Sequence, residues 1–292
     1  MRRPAVHLLI GATVTVLGLN WPIMARGVRV IPPLWLSAFR LGGACLVIAV
    51  ALRLSGRLRR PRREDVSILA SIGLGQLALV NALVFLALGV VAPGRSSIIV
   101  YTSSLWTVPI ATMVLHERLT RRRVVGVSIG CAGLVLLIEP WALDWSDTAL
   151  VAGVAMLLVA AVTNAATTVH VRAHGWNGTP FELMPWLLGI ATIPVAVLAV
   201  VVDGVPEVDW NLTTGWIVAY QILLGSAFGT WGLLTLARSL PAISANLALM
   251  AVPVIGVASS ALIVDEAISV GLAASLVLVL IGVGTGLSSD ER

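Results

Sequence analysis

Residues 93–120 read PGRSSIIVYTSSLWTVPIATMVLHERLT, and residues 241–269 read PAISANLALMAVPVIGVASSALIVDEAIS. Each stretch opens on a proline and carries a second one inside, Pro109 in the first and Pro253 in the second. Each ends an apolar run on an acid-bearing pair, His116-Glu117 and Asp265-Glu266. A glycine-rich apolar run follows in both cases, GVSIGCAGLVLLI and LVLVLIGVGTGL. The two copies stand about half of the 292 residues apart. The chain therefore reads as two similar halves, 1–142 and 143–292.

Composition says what the halves are made of. Hydrophobic residues make up 58% of the chain and charged ones 11%, with a mean hydropathy of +0.99. A soluble domain carries about a quarter charged residues, so the expected solvent is hydrocarbon. A helix needs about 20 mostly apolar residues to cross it, and lipid cannot satisfy an open backbone. The breaks in the sequence then predict ten spans, at 5–24, 33–53, 66–88, 94–115, 123–139, 149–170, 181–202, 213–235, 241–263 and 268–287. Five spans per half is an odd number, so the second half is expected to be inserted upside down. The predicted fold is an all-α integral membrane protein of ten transmembrane helices, two inverted-topology five-helix repeats around a central cavity. Such repeats suit transport, because two similar halves of opposite orientation can expose one site to either side in turn.

The charges give the orientation. The chain has no lysine, which excludes lysine chemistry, including the phosphate grip of a nucleotide-binding loop. With the N-terminus inside, fifteen of the nineteen arginines fall on inner segments, and Arg26, Arg29 and Arg95 on outer loops. This asymmetry places both termini in the cytoplasm and the chain in the inner (plasma) membrane. The pI near 10.5 then reflects topology and contact with anionic lipid, and nucleic acid is not an expected partner. The basic start MRRPAVHLLIGATVTVLGLNW, without a small-x-small cleavage site, reads as a retained first span. Trp35, Trp141, Trp145, Trp176, Trp210 and Trp216 lie near span ends as interface anchors. Trp21, Trp106, Trp186 and Trp231 lie further in. Cys45 and Cys131 sit in apolar runs and read as packing residues.

Polar side chains inside spans are costly and tend to face a cavity. The candidates for substrate contact are Asn20, Trp21, Gln76, Asn81, Tyr101, Trp106, Asn164, Trp231 and Asn246, with Gln221 and Ser226 on the eighth span. Pro22, beside Asn20 and Trp21, is expected to open the first helix's backbone. Amides, hydroxyls and aromatic faces can hold an amino-acid backbone while tolerating varied side chains. The competing reading is glue between helices, since Ser, Thr and Asn also bond from span to span. Gly126 with Gly130, and Gly282 with Gly286, give the spacing for close helix packing. That packing is expected within the fold, so a monomer is favoured over a dimer. His170 and His174 are spaced for a shared metal, but no third ligand accompanies them, and neither a metal site nor a cofactor is expected.

Arg40 stands alone in WLSAFRLGGACLV (35–47). Counting from Pro33, it lies about 10 Å below the outer edge at about 1.5 Å per residue. Three roles stay open for it: snorkelling outward, pairing with an outer-end acid such as Glu139 or Glu266 as a gate, and meeting a substrate carboxylate near the exit. No Asp or Glu falls deep in a span. Carriers coupled to protons or sodium keep an ionisable group on their path, and carriers of lipophilic cations would keep a buried carboxylate. Movement down the substrate's own gradient, or exchange, is expected.

LNWPIMARG (19–27), PPLWLSAFRLGGACLVIAV (32–50), LALGVVAPGRSSIIVYTSSLWTVPIATMVLHERLT (86–120) and LARSLPAISANLALMAVPVIGVASSALIVDEAIS (236–269), in this order, resemble the ten-span EamA-type branch of the drug/metabolite transporter superfamily. The resemblance covers essentially the whole chain. It implies two inverted five-helix halves around a cavity and export of a small polar metabolite, often an amino acid, as in the aromatic amino-acid exporters of the branch. His116 departs from the pattern, which has glycine before the glutamate. The expected function is a secondary transporter that moves amino acids out of the cytoplasm by alternating access. Carriage of drugs, nucleotide sugars or lipophilic cations is the alternative. A membrane enzyme is disfavoured, because no nucleophile–base or metal constellation accompanies the isolated polar residues. The expected partners are a small-molecule substrate and membrane lipids.

Overall fold

The computed structural model describes residues 3–116, 120–138, 144–174, 179–239 and 249–287, and among them all regular structure is helical. Helix α1 is Arg3–Gly27 and α2 is Pro33–Leu54. Rod α3 is built from Val66–Ala70, a π-helical stretch Ser71–Leu79, and Val80–Ala87. Rod α4 joins Pro93–Tyr101 to Ser103–Val114. Then come α5 (Arg121–Ile138), α6 (Thr148–Ala173) and α7 (Pro180–Asp203). Rod α8 repeats the build of α3, with Leu212–Tyr220, a π-helical stretch Gln221–Phe228, and Gly229–Ser239. The last two are α9 (Ala251–Val264) and α10 (Val270–Leu287).

Among the described residues, seven helices are long and apolar enough to cross a membrane: α1, α2, α3, α4, α6, α7 and α8. Helices α9 and α10 are apolar but shorter, and α5 opens on three arginines, Arg121 to Arg123. Large apolar side chains such as Ile193, Val201 and Leu262 stand exposed on these helices. A water-soluble fold would bury such a surface, whereas lipid accepts it. The chain is a multi-pass membrane protein.

Local chemistry sets the helix ends. Proline occupies the first turn of α2, α4 and α7, where its missing N–H costs nothing. Asp147 and Asn211 cap α6 and α8 by accepting from the backbone N–H of Leu150 and Thr214, both at 3.0 Å. Thr179 and Glu182 close a reciprocal capping box on α7. Helices α4 and α9 both stop at a left-handed residue, His116 (φ 53°) and Asp265 (φ 57°). A side chain in that region costs about 1–2 kcal/mol. This gives the resemblance's glycine a physical reason, and His116 stands where glycine fits without strain.

One expectation is corrected here. Pro22 does not open α1, which runs through it unbroken to Gly27. The turn that loses its hydrogen bond is held from outside, because Gly18 lies directly against Ile255 and the Val252 carbonyl of α9.

Packing is antiparallel and close at two crossings. Gly282 of α10 sits on the α5 backbone at Gly126 and Gly130, so the glycine spacing serves packing within the chain. Helices α2 and α7 meet through Gly42 against Thr192 and Cys45 against Pro185, whose carbonyl accepts from the thiol at 3.2 Å. An indole bond joins this pair at each end. Trp35 Nε1 donates to the Gly204 carbonyl at 2.8 Å, and Trp186 Nε1 donates to the Arg59 carbonyl at 2.9 Å. Trp186, expected to lie further in, is thus tied to the loop after α2.

Candidate functional site

The two π-helical stretches begin at Ser71 and Gln221, 150 residues apart. A π turn lengthens the hydrogen-bonded loop and frees backbone carbonyls, and such turns concentrate at functional positions. Each stretch also brings a bare glycine against a helix distant in the chain. An ideal Cβ on Gly75 would lie 2.7 Å from Thr167 Oγ1 of α6. On Gly225, the same position would lie 2.6 Å from Asn20 Oδ1 of α1 and 3.1 Å from Gln221 Oε1. The missing side chain at each place lets a polar group approach the backbone.

Around the first stretch the polar groups satisfy one another. Gln76 Nε2 donates to Asn164 Oδ1 at 2.9 Å, and Asn164 Nδ2 donates to Ser103 Oγ at 3.3 Å. Asn81 turns back on its own helix and donates to the carbonyls of Leu77 (2.7 Å) and Gln76 (3.5 Å). Its amide serves the carbonyls of the π turn.

Around the second stretch lie Asn20, Arg40, Gln221 and Ser226. Arg40 is buried, 8% exposed, so it does not snorkel to the outer surface. Its Nε donates to Ser226 Oγ at 2.7 Å, Nη1 to Met24 Sδ at 3.1 Å and Nη2 to the Gly225 carbonyl at 3.3 Å. Its guanidinium carbon lies 5.4 Å from the centre of the Phe85 ring, a cation–π contact. Depth alone suggested an outward path, but the side chain runs sideways into the bundle, where α1, α3 and α8 cover it. Among the described residues no carboxylate lies within ion-pair distance of it. Glu266, one of the two acids named for a gating pair with it, instead caps α4 by accepting from the N–H of Gly94 (2.7 Å) and Arg95 (3.2 Å). Arg26 donates to the Ile263 carbonyl at the same end of α9.

The remaining candidates are dispersed. Trp21 is buried beside Gly256 and Ser97, within the cluster that includes Met24, Phe85 and Val257. Tyr101 and Trp106 pack against that cluster, and the indole N–H of Trp106 is buried with no partner among the described residues. Trp231 stacks at a tilt on Phe228, 5.7 Å between ring centres. Asn246 and Glu139 lie outside the described residues. His170 and His174 stack at 4.3 Å. Sequence reasoning missed Met24, Phe85, Ser103 and Gly225. Only Gly225, a glycine between a glutamine and a serine inside an apolar span, left a trace that could have been read.

Comparison with known proteins fits this architecture. Residues 4–139 match the model of the EamA-like transporter family. A probable amino-acid metabolite efflux pump of Salmonella typhimurium is 27% identical over 92% of this chain and 90% of its own length. Its counterpart in Escherichia coli is 28% identical over 87% and 85%. An uncharacterized transporter of Bacillus subtilis is 23% identical over 95% of both chains. A solved crystal structure, 21% identical, superposes with a TM-score of 0.64 over 97% of this chain and 96% of that one, which shows a shared fold. The chain is thus similar to EamA-like transporters, to the family model over residues 4–139 and to relatives named as transporters over nearly its whole length.

Proposed function

We propose that the protein exports amino acids and similar small polar metabolites from the cytoplasm by alternating access of two inverted five-span halves, 1–142 and 143–292. In this reading the chain spans the inner (plasma) membrane ten times, with both termini inside. The observation that carries it is the pairing of the π stretches. They stand 150 residues apart, each presents a glycine, and each meets the first helix of the opposite half. The left-handed stops His116 and Asp265, 149 residues apart, keep the same register. Two halves that exchange equivalent contacts have two near-equivalent arrangements, which is what alternating access requires. The amino-acid substrate class is supported by the names of the two enterobacterial relatives and by the amide- and hydroxyl-rich polar sets.

Movement runs down the substrate gradient or by exchange, because the buried polar sets contain no carboxylate among the described residues. Asp65 is buried, but at the foot of α3, where it accepts from the Arg62 N–H. The test is counterflow in proteoliposomes with a panel of labelled amino acids, with and without a pH gradient. Export of several amino acids at rates indifferent to the gradient is expected. Failure of every amino acid while a lipophilic cation is carried would refute the substrate class, and dependence on the gradient would refute the coupling.

A further inference from the structure

The two polar sets begin alike and end differently. Gln76 and Asn164 use each other's amides, whereas Asn20 and Gln221 do not. Gln221 is wholly buried, and among the described residues neither its Oε1 nor its Nε2 has a partner. Asn20 is 6% exposed; among the described residues its Nδ2 reaches only Met24 Sδ at 3.4 Å, and its Oδ1 has no partner. Burying an unbonded amide costs about 1–3 kcal/mol, so these groups oppose the stability of the fold unless something else meets them. Arg40 stands beside them without a counter-ion among the described residues, although a buried cation in a span ordinarily has one close by. A guanidinium carries five N–H donors, and among the described residues this one has a single partner on each nitrogen. One N–H therefore stays unused on each terminal nitrogen, the pair that a carboxylate engages bidentately. The Ser226 hydroxyl accepts from Nε and keeps its own proton to donate.

The leftover donors are Arg40, the Ser226 hydroxyl and the Gln221 amide nitrogen. The leftover acceptors are Asn20 Oδ1 and Gln221 Oε1, which both lie against the place a Cβ on Gly225 would take, at 2.6 and 3.1 Å. The Gly225 carbonyl, on the other side of the same residue, already holds Arg40 Nη2. An anion's place and a cation's place thus lie one residue apart.

Resting on the amino-acid reading above, we propose that this set binds the zwitterionic head of the transported amino acid. Arg40 and Ser226 take the carboxylate, and the side-chain oxygens of Asn20 and Gln221 take the ammonium over Gly225. The set requires a free carboxylate and is indifferent to the side chain.

The test is counterflow in proteoliposomes with labelled leucine, phenylalanine and threonine, each against its carboxamide. Wild-type protein is expected to favour the free acids. Arg40→Gln is expected to lower the acid-to-amide rate ratio at least about tenfold, the loss of one charge-assisted pair. Gly225→Ala, which puts a methyl against the ammonium's place, is expected to slow acids and amides alike with the ratio kept. If Arg40→Gln fails to insert, Ser226→Ala reports the same ratio with a smaller fall. Wild-type transport of the acids with an unchanged ratio in Arg40→Gln, or in Ser226→Ala where that variant replaces it, overturns the site and leaves the exporter reading standing. Wild-type protein that carries no amino acid overturns both.

Discussion

Replacing Gly282 by alanine puts a methyl where the α5 backbone already is. An ideal Cβ there lies 2.5 Å from Gly130 N, 2.6 Å from the Gly126 carbonyl oxygen and 2.7 Å from Gly130 Cα. Carbon contacts settle at about 3.5–4.0 Å, so the two helices must part by about 1 Å. No side chain can swing aside to relieve the overlap, because all three atoms are backbone. Overpacking of this kind costs about 1–3 kcal/mol. At about 2–4 °C per kcal/mol for a chain of this size, Gly282→Ala should melt about 2–12 °C lower. Gly11→Ala is the control, since nothing lies within 4 Å of its Cβ, and it should melt at or above the wild-type temperature. Gly130→Ala falls between them, because its methyl meets the Leu105 side chain, which can rotate. Melting of detergent-purified protein followed by tryptophan fluorescence separates the three variants. Equal melting temperatures for Gly282→Ala and Gly11→Ala would refute the close α5–α10 crossing.

Three further outcomes are expected. His116→Gly, at a left-handed residue, should raise stability by about 0.5–1 kcal/mol, read as a higher melting temperature, whereas His116→Val should lower it. Glu266→Ala strips the first turn of α4 of its acceptor for the Gly94 and Arg95 N–H groups and should cost about 1–2 kcal/mol; unchanged melting would show that the cap contributes nothing. A double-mutant cycle of Gln76→Leu and Asn164→Leu should give a coupling of about 0.6–1.7 kcal/mol, the range for polar pairs between membrane helices, and additive losses would mean that the pair is not formed.

Depth along a span was legible in the sequence, and direction around it was not. Span edges follow from helix length, proline and arginine, and the helices end close to where those residues put them. The Gly126–Gly130 and Gly282 pattern announced a close approach because only glycine lets two backbones meet. Arg40 shows the limit. Its distance from Pro33 was countable, but its bond to Ser226 joins positions 186 residues apart, and a helix apolar on every side gives no cue to which face turns inward. Asn81 misled for a related reason. Its bonds to Leu77 and Gln76 exist because α3 takes a π turn, and nothing in SIGLGQLAL marks one. Glu266 was found as an outer-end acid, yet its partners are backbone groups, which carry no signature in the sequence.

The indole bonds at the two ends of the α2–α7 pair have a mechanical consequence. Each tryptophan grips the loop that follows the other helix, so the pins face opposite ways along a common line. Sliding one helix past the other by a single residue, about 1.5 Å, stretches both pins. The two bonds together fix the axial register of α2 on α7, and a shift along the pair would have to break both.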